Sequence, residues 1–270
     1  VKDTEYEYFI FNNHARANWK DFEANYAQAD KQTILDGRSK GELTSFIDAI
    51  YESVKDKDVV HMITTGNREY NQPYYRANYP YFTPNAEHHW VAVAGLQQVK
   101  GQDGKFENIE SFNDPGEAKW WSVVAPGRAI YSSVVCEDTY VEPDDTHKLG
   151  EAYYDTFSGT SMANPHVTGA LGVLASRYAD MTPFQVRDTM LTTANHLNED
   201  GSVMDRWTAA EGTPDVKYGW GVPDLNKGMF GPGQFLGMLD DNGEFHKDFE
   251  YKLEGNDVWT NDISQVAHDA

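Results

Sequence analysis

Apolar runs typical of buried strands alternate along this chain with segments whose apolar residues recur at helical spacing. Residues 59–67 and 89–97 are β-rich runs, and residues 41–58, 165–179 and 182–194 carry the helical pattern. Such alternation favours parallel strands joined by right-handed crossovers, with helices covering both faces of the sheet. We therefore predict a three-layer α/β/α fold with a mostly parallel sheet.

Local signals refine these elements. Residues 6–13 (YEYFIFNN) predict a further buried strand near the start of the chain, and residues 120–134 predict another that is broken at Pro126. Thr182 is expected to cap the helix that begins at the following proline. Pro165 fits the first turn of its helix, where its missing N–H costs no hydrogen bond.

The composition limits the classes of function. The chain has 270 residues, of which 40% are hydrophobic, so it is long enough to bury a sizeable core. Its formal net charge of −21 disfavours direct binding to nucleic acid or anionic lipid, because phosphates would be repelled. The single cysteine, Cys136, excludes an intrachain disulfide. No apolar run approaches the roughly 18 residues that a membrane-spanning helix needs.

The segment 157–169, FSGTSMANPHVTG, places Ser161 just ahead of a helical pattern. Local chemistry leaves two interpretations open. In the first, Ser161 or Thr160 caps the helix. In the second, Ser161 is a nucleophile, and its small neighbours let a substrate carbonyl approach helix N–H groups that favour negative charge. Ala163 stands where α/β-hydrolases have the second glycine of Gly-x-Ser-x-Gly, which disfavours an esterase of that class.

The wider sequence closely resembles the subtilisin-like serine proteases, or subtilases. The similar segments follow the family's order and cover residues 41–230. They are VVHMITTGN (59–67), HWVAVAGL (89–96), IESFNDPGEAKWWSVVAPGRAIYSSV (109–134), GTSMANPHVTGALGVL (159–174) and KYGWGVPDLNKGM (217–229). The third of them resembles the family's Ser-Phe-Ser…Val-x-Ala-Pro-Gly pattern. The resemblance implies a subtilisin-like fold and a serine endopeptidase that works through an acyl-enzyme.

The resemblance also implies site residues. Ser161 would be the acylating nucleophile, and Asn67 would donate its side-chain amide to the oxyanion hole beside the Ser161 N–H. Gly66 and Arg68, within residues 66–70, would form one wall of the first substrate pocket. The opposite wall would consist of Asn13, His14 and Ala15. The family usually has Ser-x-Gly at that second wall, so this chain departs from the expected pocket shape.

No base for Ser161 is identified in this sequence. Subtilases order their triad as Asp, His and Ser, but neither the Asp-Ser/Thr-Gly turn nor the His-Gly-Thr helix start occurs here. His166 would lie about 140° around the helix from Ser161, so we expect it to pack elsewhere. His14 is favoured as a substrate contact over a base, and the pair His88 and His89 is interpreted as loop residues rather than metal ligands. We therefore expect the catalytic Asp and His on a segment preceding this chain, and little activity from the chain alone.

The chain divides into two regions. Residues 1–230 are interpreted as the C-terminal portion of a subtilase peptidase domain that lacks its N-terminal strands. Residues 231–270 begin with Gly-Pro-Gly and are interpreted as an extension or linker toward a further C-terminal region. The stretches GMFGPGQFLGMLDDNGEF and WTNDIS resemble the region that follows the protease domain in autotransporters of Gram-negative bacteria. This resemblance implies a secreted or cell-surface location.

The predicted function is that of a serine endopeptidase with polypeptide substrates, no required cofactor and no nucleic-acid partner. Its other expected partner is the N-terminal portion of its own catalytic domain. Subtilases often bind Ca²⁺, but no ligand set can be mapped onto this sequence. The alternative is a non-catalytic subtilase-like module used for binding or as a scaffold. The joint presence of Ser161 and Asn67 favours the enzyme, because a scaffold needs neither residue.

Overall fold

The computed structural model describes residues 46–135, 150, 152–210 and 213–230. The helices are α1 (Phe46–Val54), α2 (Tyr79–Phe82), α3 (Thr160–Arg177), α4 (Pro183–Thr192) and α5 (Leu225–Gly228), with 3₁₀ helices at Pro84–His89 and Gly116–Trp121. The strands are β1 (His61–Thr64), β2 (Trp90–Gln98), β3 (Phe106–Asn108), β4 (Ser122–Pro126), β5 (Ile130–Val135) and β6 (Ala152–Phe157). The predicted strand at 6–13, the residues Asn13, His14 and Ala15, and the extension at 231–270 lie outside the described residues.

Strand β2 is the centre of the main sheet. It pairs in parallel with β1 over 61–64 and with β4 over 122–126. Its last residues pair antiparallel with the short strand β3. The prediction of a mostly parallel sheet is confirmed for these strands. Strands β5 and β6 form a separate antiparallel hairpin, and the break between β4 and β5 falls at the predicted position after Pro126.

The alternating side chains of β2 sort the helices onto opposite faces of the sheet. Val91 and Val93 belong to the buried cluster that includes α3 and α4. Trp90 and Ala92 belong to a second cluster that includes Ile47 of α1. Successive residues of a strand point to opposite faces, so helices cover both faces. The predicted three-layer α/β/α arrangement is confirmed for the described residues.

Helix α4 begins as predicted and is anchored by a buried ionic cluster. The Thr182 side chain accepts a hydrogen bond from the Gln185 N–H, and the Gln185 side chain accepts one in return from the Thr182 N–H, which completes a capping box. Arg187 is fully buried and donates from Nε to the Trp90 carbonyl at 2.9 Å. The same guanidinium forms ion pairs with Glu87 and Asp188. These contacts fix α4 against the start of β2.

Helix α3 begins earlier than the sequence predicts. Its first residue is Thr160, so Pro165 lies inside the helix, and the expectation of a first-turn proline is wrong. The proline can donate no hydrogen bond to the carbonyl of Ser161, four residues before it. The freed carbonyl belongs to a residue at the exposed start of the helix, where solvent can satisfy it. This position explains why the helix continues through the proline.

Candidate active site

The turn after β1 brings Asn67 to the carboxyl edge of the parallel sheet. The sheet pairing extends one residue past β1, since the Thr65 N–H donates to the Val93 carbonyl at 3.0 Å. Gly66 then adopts φ +117°, and a Cβ atom there would lie 2.6 Å from the Tyr74 ring. A glycine is therefore required both by the backbone conformation and by the close approach of Tyr74. The chain reverses at this point and leaves Asn67 exposed.

The hairpin β5–β6 brings Ser161 to the same edge. Strand β6 ends at Phe157, and the Gly159 N–H donates to the Gly127 carbonyl at 2.8 Å, which ties the returning chain to the end of β4. Gly159 is the residue before α3, so Ser161 is the second residue of that helix. Its side chain is exposed. The serine thus stands at the N-terminus of a long helix that packs on the sheet.

A side-chain cap joins the two segments. The Thr160 N–H donates to Asn67 Oδ1 at 2.9 Å, and the Thr160 hydroxyl donates to the same oxygen at 3.2 Å. A backbone N–H can only donate, so the atom that faces it is the amide oxygen. The NH₂ group of Asn67 therefore points away from Thr160. It makes no hydrogen bond to any residue in the described ranges.

The arrangement can stabilise negative charge next to Ser161. The first N–H groups of a helix have no intrahelical partner, and the helix dipole places partial positive charge there. The N–H of Ser161 is one of these groups, and the Asn67 NH₂ is a second donor held beside the same helix start. A serine hydroxyl and two donors without partners in the described residues, all at one edge of a sheet, fit the stabilisation of the oxyanion that a carbonyl oxygen becomes when the serine attacks its carbon.

The environment of His166 in the structure differs from the packed position that the sequence predicts. Its Nδ1 lies 2.9 Å from the carbonyl of Met162 on its own helix, and the side chain is exposed. The expectation that His166 is packed is wrong, because this face of α3 is not covered by any described residue. The Ser161 hydroxyl forms no hydrogen bond to a histidine, or to any other residue, within the described part of the chain.

Two other histidines lie in an environment that the sequence did not indicate. His88 and His89 end a 3₁₀ helix and contact the ring of Phe184 edge-on, and His89 is buried, so the expectation of loop residues is wrong. Burial lowers the pKa of His88 to about 4. The described residues contain no group of three or more His, Cys, Asp or Glu side chains that could hold a metal ion.

The structure brings together one part of the predicted site. Gly66, Asn67 and Arg68 lie in one turn, and Asn67 contacts the residue beside Ser161. The predicted second wall at residues 13–15 lies outside the described residues and stays a prediction. Sequence reasoning also missed Asn113, which bonds this turn. Its signal was present, since asparagine stands here at the second serine of the Ser-Phe-Ser pattern.

A layered α/β/α fold in which Asn67 bonds the residue before Ser161 is the arrangement expected of a subtilisin-like protein. The chain belongs to the Subtilase family, whose model matches residues 23–221. Three of its relatives are serotype-specific antigen 1 of Mannheimia haemolytica, the Neisserial autotransporter lipoprotein NalP of Neisseria meningitidis serogroup B and an extracellular serine protease of Serratia marcescens.

These relatives are much longer than the chain. Serotype-specific antigen 1 is 31% identical over 67% of this chain and 17% of its own length. The autotransporter lipoprotein is 26% identical over 78% of this chain and 18% of its own length. The extracellular serine protease is 29% identical over 68% of this chain and 17% of its own length. The chain therefore spans less than a fifth of each of them.

From the sequence, the helices are also expected to be too short or too polar to cross a membrane. Among the helices in the described ranges, none combines the length and the apolar character that a membrane span requires.

Proposed function

We propose that this chain supplies the nucleophile and the oxyanion hole of a serine endopeptidase that cleaves polypeptides. The supporting observation is the hydrogen bond from the Thr160 N–H to Asn67 Oδ1, 2.9 Å long. It commits the Asn67 oxygen to Thr160 and leaves the NH₂ group available as a donor near the helix start, where a Cβ atom on Gly159 would lie 3.5 Å from Asn67 Nδ2 and 3.7 Å from the Ser161 nitrogen. A helix cap alone would require an acceptor at this position but would not require a serine at the next residue.

In the proposed reaction, Ser161 Oγ attacks the carbonyl carbon of the scissile peptide bond and its proton passes to a general base. The carbonyl oxygen becomes an oxyanion, which accepts hydrogen bonds from the Ser161 N–H and from Asn67 Nδ2. The protonated base then gives its proton to the leaving amine, and the C–N bond breaks to leave an acyl-enzyme. Water, deprotonated by the same base, then attacks the ester carbonyl. The bond between the acyl carbon and Ser161 Oγ breaks, the carboxylic acid product leaves, and the base returns its proton to Oγ.

The base and its orienting acid are proposed to come from a His and an Asp on a segment outside this chain, N-terminal to it in the order typical of subtilases. This proposal rests on the Ser161 hydroxyl, which has no histidine partner among the described residues. Without a base the serine hydroxyl is a weak nucleophile. We therefore expect only residual peptidase activity from the isolated 270-residue chain.

The substrate is proposed to lie between two walls. Gly66 and Arg68 form the first wall, because they flank Asn67 in the turn that bonds Thr160, the residue before Ser161. The second wall is assigned to residues 13–15, as the family resemblance implies. Residues 1–230 would then belong to the peptidase domain, and residues 231–270 would lead into a further C-terminal region. No cofactor is needed for this chemistry.

A secreted or cell-surface location is proposed for the whole protein. It is supported by the names of two relatives, one an autotransporter lipoprotein and the other an extracellular serine protease.

The proposal is tested with a fluorophosphonate probe on the full-length protein that contains this chain. The probe phosphonylates only an activated serine, and peptide mapping by mass spectrometry locates the adduct. We expect the adduct on Ser161 and its loss in Ser161→Ala. Ser176→Ala is a matched control, because Ser176 lies near the other end of the same helix and its hydroxyl donates to the Val173 carbonyl at 2.7 Å. Labelling that is absent from the wild type would instead favour a non-catalytic binding module.

A further inference from the structure

We propose that Asn113 is a positioning residue for the oxyanion hole, acting through the turn that carries Asn67. This inference rests on the proposed function, since it concerns the same reaction. Asn113 lies between β3 and the 3₁₀ helix Gly116–Trp121 and is only 1% exposed. It forms no hydrogen bond with Asn67 in the described part of the chain. It bonds the backbone on both sides of Asn67 and so fixes where that residue leaves the turn.

The side chain of Asn113 spans the turn. Its Nδ2 donates to the Thr65 carbonyl at 3.0 Å, and its Oδ1 accepts from the Arg68 N–H at 2.8 Å. The first bond fixes the chain before Asn67 and the second fixes the chain directly after it. A longer contact of 3.4 Å from the Tyr70 N–H reaches the same oxygen. One amide group therefore determines both ends of the segment that presents Asn67.

The backbone of Asn113 reinforces this arrangement. Its N–H donates to the Gly66 carbonyl at 2.9 Å, and its carbonyl accepts from the Thr65 hydroxyl at 2.9 Å. A Cβ atom on Gly66 would lie 2.7 Å from Asn113 Nδ2, so the amide sits against the glycine backbone. Removing the amide would take one of two donors from the buried Thr65 carbonyl, which also accepts from the Tyr74 N–H at 2.8 Å, and would take the acceptor from the more exposed Arg68 N–H.

The chemistry of the two bonds requires an amide. One planar group must donate at one end and accept at the other, which asparagine does and an ionised carboxylate cannot. A serine hydroxyl is shorter and cannot span the turn to satisfy both groups. The Thr160 bonds set the rotation of the Asn67 side chain. The Asn113 bonds set the backbone from which that side chain extends, so both are needed to place its NH₂.

The test is a double-mutant cycle on the full-length protein, with a peptide substrate and kcat and KM measured separately. Asn67→Ala is expected to lower kcat by about 10²–10³-fold. Asn113→Ser is expected to lower kcat by about 10–100-fold with little change in KM. If Asn113 acts through Asn67, the double variant is no slower than Asn67→Ala alone. Multiplicative losses, or a wild-type kcat in Asn113→Ser, would overturn the inference.

A second variant keeps the inference testable if Asn113→Ser does not fold. Asn113→Asp retains the acceptor for the Arg68 N–H, and its carboxyl can donate to the Thr65 carbonyl only when protonated. The kcat of Asn113→Asp relative to the wild type is therefore expected to rise as the pH falls. A ratio that stays constant with pH would contradict the positioning role.

A matched control separates positioning from stability. Asn198 is also buried, accepts from the Phe106 N–H at 2.8 Å and donates to the Val203 carbonyl at 3.1 Å, but it bonds no residue of the Asn67 turn. Asn198→Ser should lower the melting temperature with kcat nearly unchanged. If Asn67→Ala itself leaves kcat unchanged, the proposed function fails. If Asn67→Ala is slow and Asn113→Ser is not, only the present inference fails.

Discussion

Replacing Arg187 by Met should destabilise the protein strongly. Arg187 is fully buried, and the side chain of Glu87 beside it is only 4% exposed. The substitution leaves the Glu87 carboxylate buried without its positive partner, a change that typically costs about 3–5 kcal/mol. It also removes the bond to the Trp90 carbonyl at the start of β2. At about 2–4 °C per kcal/mol for domains of 150–250 residues, the melting temperature should fall by about 6–20 °C.

The pH dependence of this loss identifies its cause. Burial raises the pKa of Glu87, while the attraction of Arg187 lowers it. In Arg187→Met the opposing attraction is gone, so the pKa of Glu87 in the folded state rises further. A carboxyl whose folded pKa exceeds its unfolded pKa destabilises the protein at high pH, and the penalty is relieved as the pH falls through the folded pKa. The deficit relative to the wild type should therefore shrink toward acidic pH.

The measurement is the free energy of unfolding in urea. It is determined for the wild type, for Arg187→Met and for the double variant that combines Arg187→Met with Glu87→Gln. The double variant carries no uncompensated charge at this pair and should recover part of the lost free energy of unfolding. A loss below about 1 kcal/mol, or a loss that does not vary with pH, would refute the interpretation that a buried charge is left unpaired.

Further substitutions test other parts of the structure. Gly66→Ala should cost about 2–5 kcal/mol, measured by urea unfolding, because its φ is +117° and its Cβ would lie 2.6 Å from the Tyr74 ring; a neutral effect would contradict this tight turn. Thr160→Val keeps the backbone bond to Asn67 but loses the hydroxyl bond, so kcat should fall about 3–10-fold while the melting temperature changes little. Thr182→Ala removes a helix cap and should cost about 1 kcal/mol of unfolding free energy with unchanged kcat; an altered kcat would show that α4 is coupled to the site.

The elements that the sequence predicted well are those set by local chemistry. The run at 89–97 becomes β2 because nearly all of its side chains are buried on both faces of the sheet. Thr182 caps α4 because threonine, proline and the later glutamine satisfy the first N–H groups within one turn. The break after Pro126 follows from a residue that cannot donate to a ladder. Each of these signals can be read from a short run of consecutive residues.

The features that the sequence did not predict depend on distant parts of the chain. Pro165 lies inside α3 because an asparagine far back in the sequence caps the helix at Thr160 and so moves its start. The Asn113 bonds join positions 45 and 48 residues apart. The Arg187–Glu87 pair joins positions 100 residues apart. Periodicity reports which face a residue occupies, but it does not report which distant polar group lies opposite.

The candidate site likewise contains features that the sequence predicts and features that depend on distant contacts. Ser161 and Asn67 were assigned from a family resemblance, and the structure places Asn67 against the residue next to Ser161. The bond from Thr160 to Asn67 could not be foreseen, because it requires the tertiary fold to bring the turn after β1 and the chain after β6 together. The orientation of His166 followed from which face of α3 is covered, and that also is a property of packing rather than of local sequence.

The most direct test of the proposed oxyanion hole is a crystal structure of the full-length protein phosphonylated on Ser161. The phosphonyl oxygen then occupies the place of the oxyanion in the transition state. We predict that this oxygen lies about 2.7–3.1 Å from both Asn67 Nδ2 and the Ser161 backbone nitrogen. An oxygen that points away from Asn67, with the amide NH₂ bonded elsewhere, would contradict the central claim that this chain supplies the oxyanion hole.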